Sequence, residues 1–102
     1  MGRMDKVCKN NTKIETAISD LSGLETTYIQ LHNTTVVKFD KDVITLNSGG
    51  YKTYTTKARL NQASNEFDLG YRVFQNNHGW FIKAGNDVLL FQDNMMLNRR
   101  NL

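Results

Sequence analysis

The chain has no proline, one cysteine (Cys8), two histidines and no strong excess of either charge among its 102 residues. A single cysteine excludes an internal disulfide and any zinc site built on several thiolates. With no proline, the turns must come from Gly, Asn and Asp. No apolar run approaches the about 20 residues of a membrane span. The first residues, Met1-Gly2-Arg3-Met4-Asp5-Lys6, lack the apolar core of a secretory signal. Thirteen Lys and Arg against ten Asp and Glu give +3, compatible with nucleic acid without demanding it. The basic residues are scattered, apart from Arg99-Arg100. These absences leave a soluble, intracellular domain without a cofactor or a metal as the expectation.

What is present is a β-rich pattern. A 102-residue chain is one domain, able to bury about two-thirds of its unfolded surface. Residues 1–12 read as a flexible polar lead-in, residues 13–91 as the domain and residues 92–102 as a polar tail. In 13–22, Ile14, Ala17, Ile18 and Leu21 fall at i, i+3, i+4 and i+7, which predicts a short helix capped by Thr12 and ended by Gly23. Residues 27–31 read as extended. Thr35–Phe39 and Val43–Leu46 flank Asp40-Lys41-Asp42 as a hairpin. The pair Gly49-Gly50 predicts a second tight turn into a strand over 51–54. A helix follows over 55–67, capped by Thr55 or Thr56, with Leu60, Ala63 and Phe67 inward. Residues 71–75 and 80–83 form another hairpin about Asn76-Asn77-His78-Gly79, and 88–91 a final strand. The expected class is α+β: a small antiparallel sheet or partly open barrel of about six short strands, with a central helix and an N-terminal one.

Candidate chemistry is sparse. His32, before a strand, and His78, in a hairpin turn, read as turn or surface residues; a catalytic base would need a nucleophile beside it and a third group to orient it. Asp40 and Asp42 favour a hairpin tip over a cation site, because Lys41 separates them. Asn47-Ser48-Gly49-Gly50 lacks the spacing of a phosphate-binding loop and reads as a turn. The stretch Tyr51–Arg59 interleaves Tyr51 and Tyr54 with Lys52, Lys57 and Arg59, a combination able to stack rings and neutralise phosphates. Solvated cations around a core tyrosine are the plainer reading. Trp80 suits the core, whereas alternation puts Phe81 on the face of Lys83.

The block His32-Asn33-Thr34-Thr35-Val36-Val37, Ile44-Thr45-Leu46-Asn47-Ser48-Gly49-Gly50-Tyr51 and Thr53-x-Thr55-Thr56-Lys57-x-Arg59-x-Asn61, followed by Tyr71-Arg72-Val73-Phe74 and Trp80-Phe81, resembles a group of small proteins encoded by tailed bacteriophages. The resemblance covers residues 31–82. Tyr51 stands where that group often has Trp after the Gly pair. It implies a phage origin and a binding role. The leading expectation is a non-enzymatic accessory protein that binds and inhibits or redirects a host protein or complex, with antiviral defence components among the candidates. A basic nucleic-acid-binding domain is the alternative, and a virion or assembly component, which would form oligomers, the third reading. No membrane partner is expected. The candidate binding residues are Lys52, Tyr54, Thr56, Lys57, Arg59, Asn61, Arg72 and Phe81.

Overall fold

The computed structural model describes residues 12–18 and 23–102, with the backbone alone at residue 101. Its elements are β1 (Thr12–Ile18), β2 (Glu25–Leu31), β3 (Thr34–Phe39), β4 (Val43–Leu46), α1 (Tyr54–Phe67), β5 (Tyr71–Asn76), β6 (Gly79–Ala84), β7 (Asp87–Leu90) and β8 (Met95–Asn98). A single 3-10 turn, Arg99–Asn101, follows β8. The strands form two antiparallel sheets, one ordered β1-β2-β3-β4-β8 and one ordered β5-β6-β7.

The α+β expectation is thereby corrected. The protein is mostly β, with two open sheets and, among the described residues, one α-helix and no closed barrel. Over residues 13–18 the predicted N-terminal helix is replaced by β1, whose Ile14 pairs with Ile29 and whose Thr16 hydroxyl lies 3.3 Å from that of Thr27, and the rest of that prediction, 19–22, lies outside the described residues. Ile14, Thr16 and Ile18 also alternate at period two, and their branched side chains favour a strand when a partner edge is available. A three-turn helix is marginal by itself, so pairing with β2 decides the outcome. The polar lead-in lies outside the described residues up to residue 11, whereas Thr12 is buried at the start of β1. The predicted strand over 51–54 is also replaced. Thr53 has extended backbone and accepts the Thr56 N–H at 3.2 Å, so it caps α1, and Tyr54 is already helical. The segment read as a polar tail holds β8, which pairs with β4 and buries Leu97.

In β3 the register with β2 slips by one residue, leaving Val36 as the extra residue of a bulge. Consecutive Val36 and Val37 are consequently both buried, which strict alternation forbids. The bulged Val36 carbonyl accepts the Asn47 N–H at 2.9 Å.

Helix α1 seals the free edge of β5 through two side chains. The Asn61 amide donates to the Val73 carbonyl at 2.9 Å and accepts the Val73 N–H at 2.7 Å. One turn on, the Ser64 hydroxyl donates to the Tyr71 carbonyl at 2.7 Å and accepts the Tyr71 N–H at 3.1 Å. Spacing i, i+3 puts both on one face, and they satisfy four backbone groups that another strand would otherwise have to meet. Tyr71 returns its phenol to the Leu60 carbonyl at 2.7 Å, and burial pushes that phenol's pKa far above its ordinary value. Behind this seam, Leu60, Ala63 and Leu69 join Ile29, Val37, Ile44 and Leu46 of the first sheet and Val73, Trp80 and Ile82 of the second in one core. Trp80 meets Phe91 edge-on with ring centres 5.6 Å apart, as its expected core position requires.

Candidate functional site: a cleft at the start of the helix

The loop between β4 and α1 is held by the turn that precedes β8. The Asp93 carboxylate accepts the Ser48 N–H at 2.8 Å and the Ser48 hydroxyl at 2.7 Å. Asn47 donates its amide to Asn94 at 2.8 Å, and its own side-chain oxygen accepts the Gly49 N–H at 2.6 Å. The Gly50 N–H goes to the Ser48 hydroxyl at 3.2 Å. Burial raises the Asp93 pKa; the two Ser48 bonds, the positive charge of Lys52 and the Gly50 N–H outweigh it and hold the carboxyl below its ordinary value. The glycine pair connects a strand to a helix here, the context a phosphate loop would need. The Gly49 and Gly50 N–H groups are nevertheless taken by Asn47 and Ser48, and the Ser48 N–H by Asp93, so the anion this loop holds is the protein's own carboxylate.

Gly49 is the tight point of this loop. Its φ is +66°, and a Cβ there would stand 2.7 Å from the Thr34 hydroxyl oxygen. Glycine alone satisfies both the left-handed backbone and the contact. That contact brings the β2–β3 turn, where His32 has φ +56°, against the loop.

Between that turn, the loop and the first turn of α1 lies a cleft of about 600 Å³. Leu31 and Val36 give it an apolar lining, Thr34, Thr53 and Thr55 line it with hydroxyls, and His32 and Tyr51 complete it. Tyr51 is 69% exposed, and Tyr54, opening α1, is 80% exposed. One exposed phenol, that of Tyr51, therefore lines a cleft whose walls offer hydrogen-bonding groups, and Tyr54 is exposed between the lining residues Thr53 and Thr55.

The eight candidate residues separate into three settings. Lys52, Tyr54 and Lys57 gather around the start of α1, with Lys52 and Tyr54 exposed and Lys57 half-buried. Thr56, Arg59 and Asn61 are tied into the fold, and Thr56 also lines the cleft: it is buried in the helix cap, with its hydroxyl 3.2 Å from that of Thr53. The Arg59 guanidinium donates to Thr12 on β1 at 3.3 Å and to Gln62 at 3.0 Å, while Asn61 grips β5. Arg72 and Phe81 lie on β5 and β6 of the other sheet. His32, Asn33 and Thr34 line the cleft and were absent from the candidate set; the signal for them was that His32-Asn33-Thr34 opens the same sequence block that ends in the Thr-rich helix start. The other flagged residues are structural or outside the description. Asp40 accepts the N–H groups of Asp42 and Val43 at 2.7 and 2.9 Å, as a hairpin tip should. Arg99 donates to the Asp40 carbonyl at 2.8 Å and lies 5.7 Å from the Phe39 ring centre. Cys8 falls outside the described residues.

A family model for the Kyanoviridae Gp96 protein matches residues 2–98. The chain belongs to this family. The phage origin implied by the sequence block is thus shown at the level of the family, a tailed-phage one. A comparison with curated proteins and with solved structures gives no match. The match extends over β1 and β8 as well as the central block, so both the strand that replaces the expected helix and the turn before β8 that clamps the cleft loop fall within the family's span.

Proposed function

We propose that this phage protein is a non-enzymatic accessory factor of the host cytoplasm, which binds a host protein through the cleft and its tyrosine rim. The observation that carries this reading is the exposure of Tyr51 and Tyr54 beside a preformed cleft. Tyrosine adds large, stiff contact area with a polar tip, and such residues dominate interface energetics. The cleft needs no ordering on binding, since its loop is already fixed by Asp93 and its turn by the Gly49–Thr34 contact. Two features favour a protein over nucleic acid. Arg59 turns toward β1, and the charge of Lys52 is partly offset by Asp93, which weakens the phosphate-neutralising term. Ser48 lies on the cleft wall but is buried, and its hydroxyl both donates to Asp93 and accepts the Gly50 N–H within the loop clamp, which supports a structural part for it beside a binding cleft.

The test is affinity purification from host lysate, with and without nuclease, using the wild type and a Tyr51→Ser/Tyr54→Ser variant. One dominant protein that survives nuclease and is lost with the variant is expected. A partner removed by nuclease would favour the nucleic-acid reading, and recovery of only this chain would favour an assembly component.

A further inference from the structure

The second sheet presents a face that the reading above does not use. Alternation along β5, β6 and β7 buries Tyr71, Val73, Trp80 and Ile82 on the core side. The cross-strand register builds two rows on the other side: Phe74, Phe81 and Leu90, then Arg72, Lys83 and Val88. The Phe74 and Phe81 rings stack with centres 5.9 Å apart at 25°. Gly79 leaves the Phe81 ring its place, since a Cβ there would approach it to 3.1 Å. Val88 and Leu90 are 58% and 56% exposed, and Arg72 and Lys83 are exposed too. This is a contiguous apolar row bordered by two cations, and alternation puts Asp87 on the opposite face.

We propose that this face docks an acidic, apolar-faced segment of a partner protein. Charge selects the partner: both ionic side chains on the face are positive, so carboxylates beside an apolar stripe complement it, and a basic segment is repelled. Residues 1–11 of this chain carry Arg3, Lys6 and Lys9 against Asp5, a poor match. Size argues against a second copy. Two strand spacings of about 4.8 Å and rows about 7 Å apart, widened by side chains, give a footprint of roughly 200–300 Å². That falls well short of the about 800 Å² per partner typical of a stable complex of two folded domains, whereas one amphipathic segment fits it.

The experiment titrates the whole ¹⁵N-labelled protein with two amphipathic peptides of about 14 residues, alike in their Leu and Phe stripe and flanked by Glu in one and Lys in the other. The Glu-flanked peptide is expected to shift amides of β5, β6 and β7 in a saturable manner. Arg72→Glu/Lys83→Glu should weaken it at least roughly tenfold and turn the preference toward the Lys-flanked peptide. Tyr51→Ser/Tyr54→Ser should leave this titration unchanged, so failure of the tyrosine rim and failure of this face are told apart. Lack of shifts in β5–β7 at millimolar peptide, equal response to both peptides, or shifts confined to the cleft would overturn the proposal. So would dimerisation abolished by Leu90→Ser, which would assign the face to a second copy.

Discussion

Replacing Asn61 by Ala tests whether this side chain is part of the fold or available to a ligand. Asn61 makes two hydrogen bonds to Val73, at 2.9 and 2.7 Å, and Val73 is buried. Truncation leaves one backbone N–H and one C=O in an environment that water enters only through the gap left by a half-buried amide. Each such group costs about 1–3 kcal/mol, so partial hydration puts the loss at about 2–4 kcal/mol. Against a total stability of about 5–15 kcal/mol, that is a large fraction. It corresponds to a drop in melting temperature of roughly 10–25 °C, read by circular dichroism. Asn61→Asp refines the test. Its carboxylate still accepts the Val73 N–H but opposes the Val73 carbonyl, so folding favours the protonated acid and raises its pKa. The stability recovered by protonation is then complete below the unfolded value, about 3.9, and is lost as pH rises through the raised folded value. Asn61→Asp should therefore approach the wild type only in acid. An Asn61→Ala protein that melts within about 3 °C of the wild type would refute the argument that this amide completes the β5 edge.

Three further outcomes are expected. Gly49→Ala should cost more than Gly50→Ala by at least about 1 kcal/mol in urea unfolding, because both positions have left-handed backbone and only Gly49 also meets Thr34; Thr34→Ala should narrow that gap. Asp93 has a folded pKa below its ordinary value, so its contribution is present above the unfolded value and lost as pH falls through the folded one. The wild type should then lose a few degrees more than Asp93→Asn between about pH 5 and pH 2, a small effect because this carboxylate is exposed to solvent. Leu60→Ala, at a fully buried position, should cost about 2–5 kcal/mol, measured the same way.

The hairpins of this protein were legible because local chemistry decides them. Asp40 ties its own turn, and the Asn77-His78 pair takes positive φ at both residues, as a two-residue hairpin turn demands. Helix α1 was also legible, from Leu60 and Ala63, although its cap lies two or three residues earlier than expected. The misread elements are those settled by distant partners. Residues 13–18 fit either period, and only β2 distinguishes them. Tyr51–Tyr54 has strand composition, yet Ser48 is held by Asp93, 45 residues away, and Thr53 caps the helix that follows. Met95-Met96-Leu97 is too short and mixed to announce a strand until the edge of β4 receives it. The candidate site was legible in part for the same reason. The rings and cations of Tyr51–Arg59 are visible in sequence, but the inward turn of Arg59 and the approach of His32-Asn33-Thr34 are tertiary.

The pairing of β4 with β8 sets a timetable for the nascent chain. Leu46 finds its neighbour at Met95, so the outward edge of β4 stays bare while the intervening residues emerge, roughly 2–10 s at ordinary elongation rates. In that interval Ser48 still lacks its carboxylate, since Asp93 lies 45 residues further along the chain. The clamp on the cleft loop therefore closes late in synthesis, and a chain stalled before residue 93 would carry Tyr51 on a loop without that anchor.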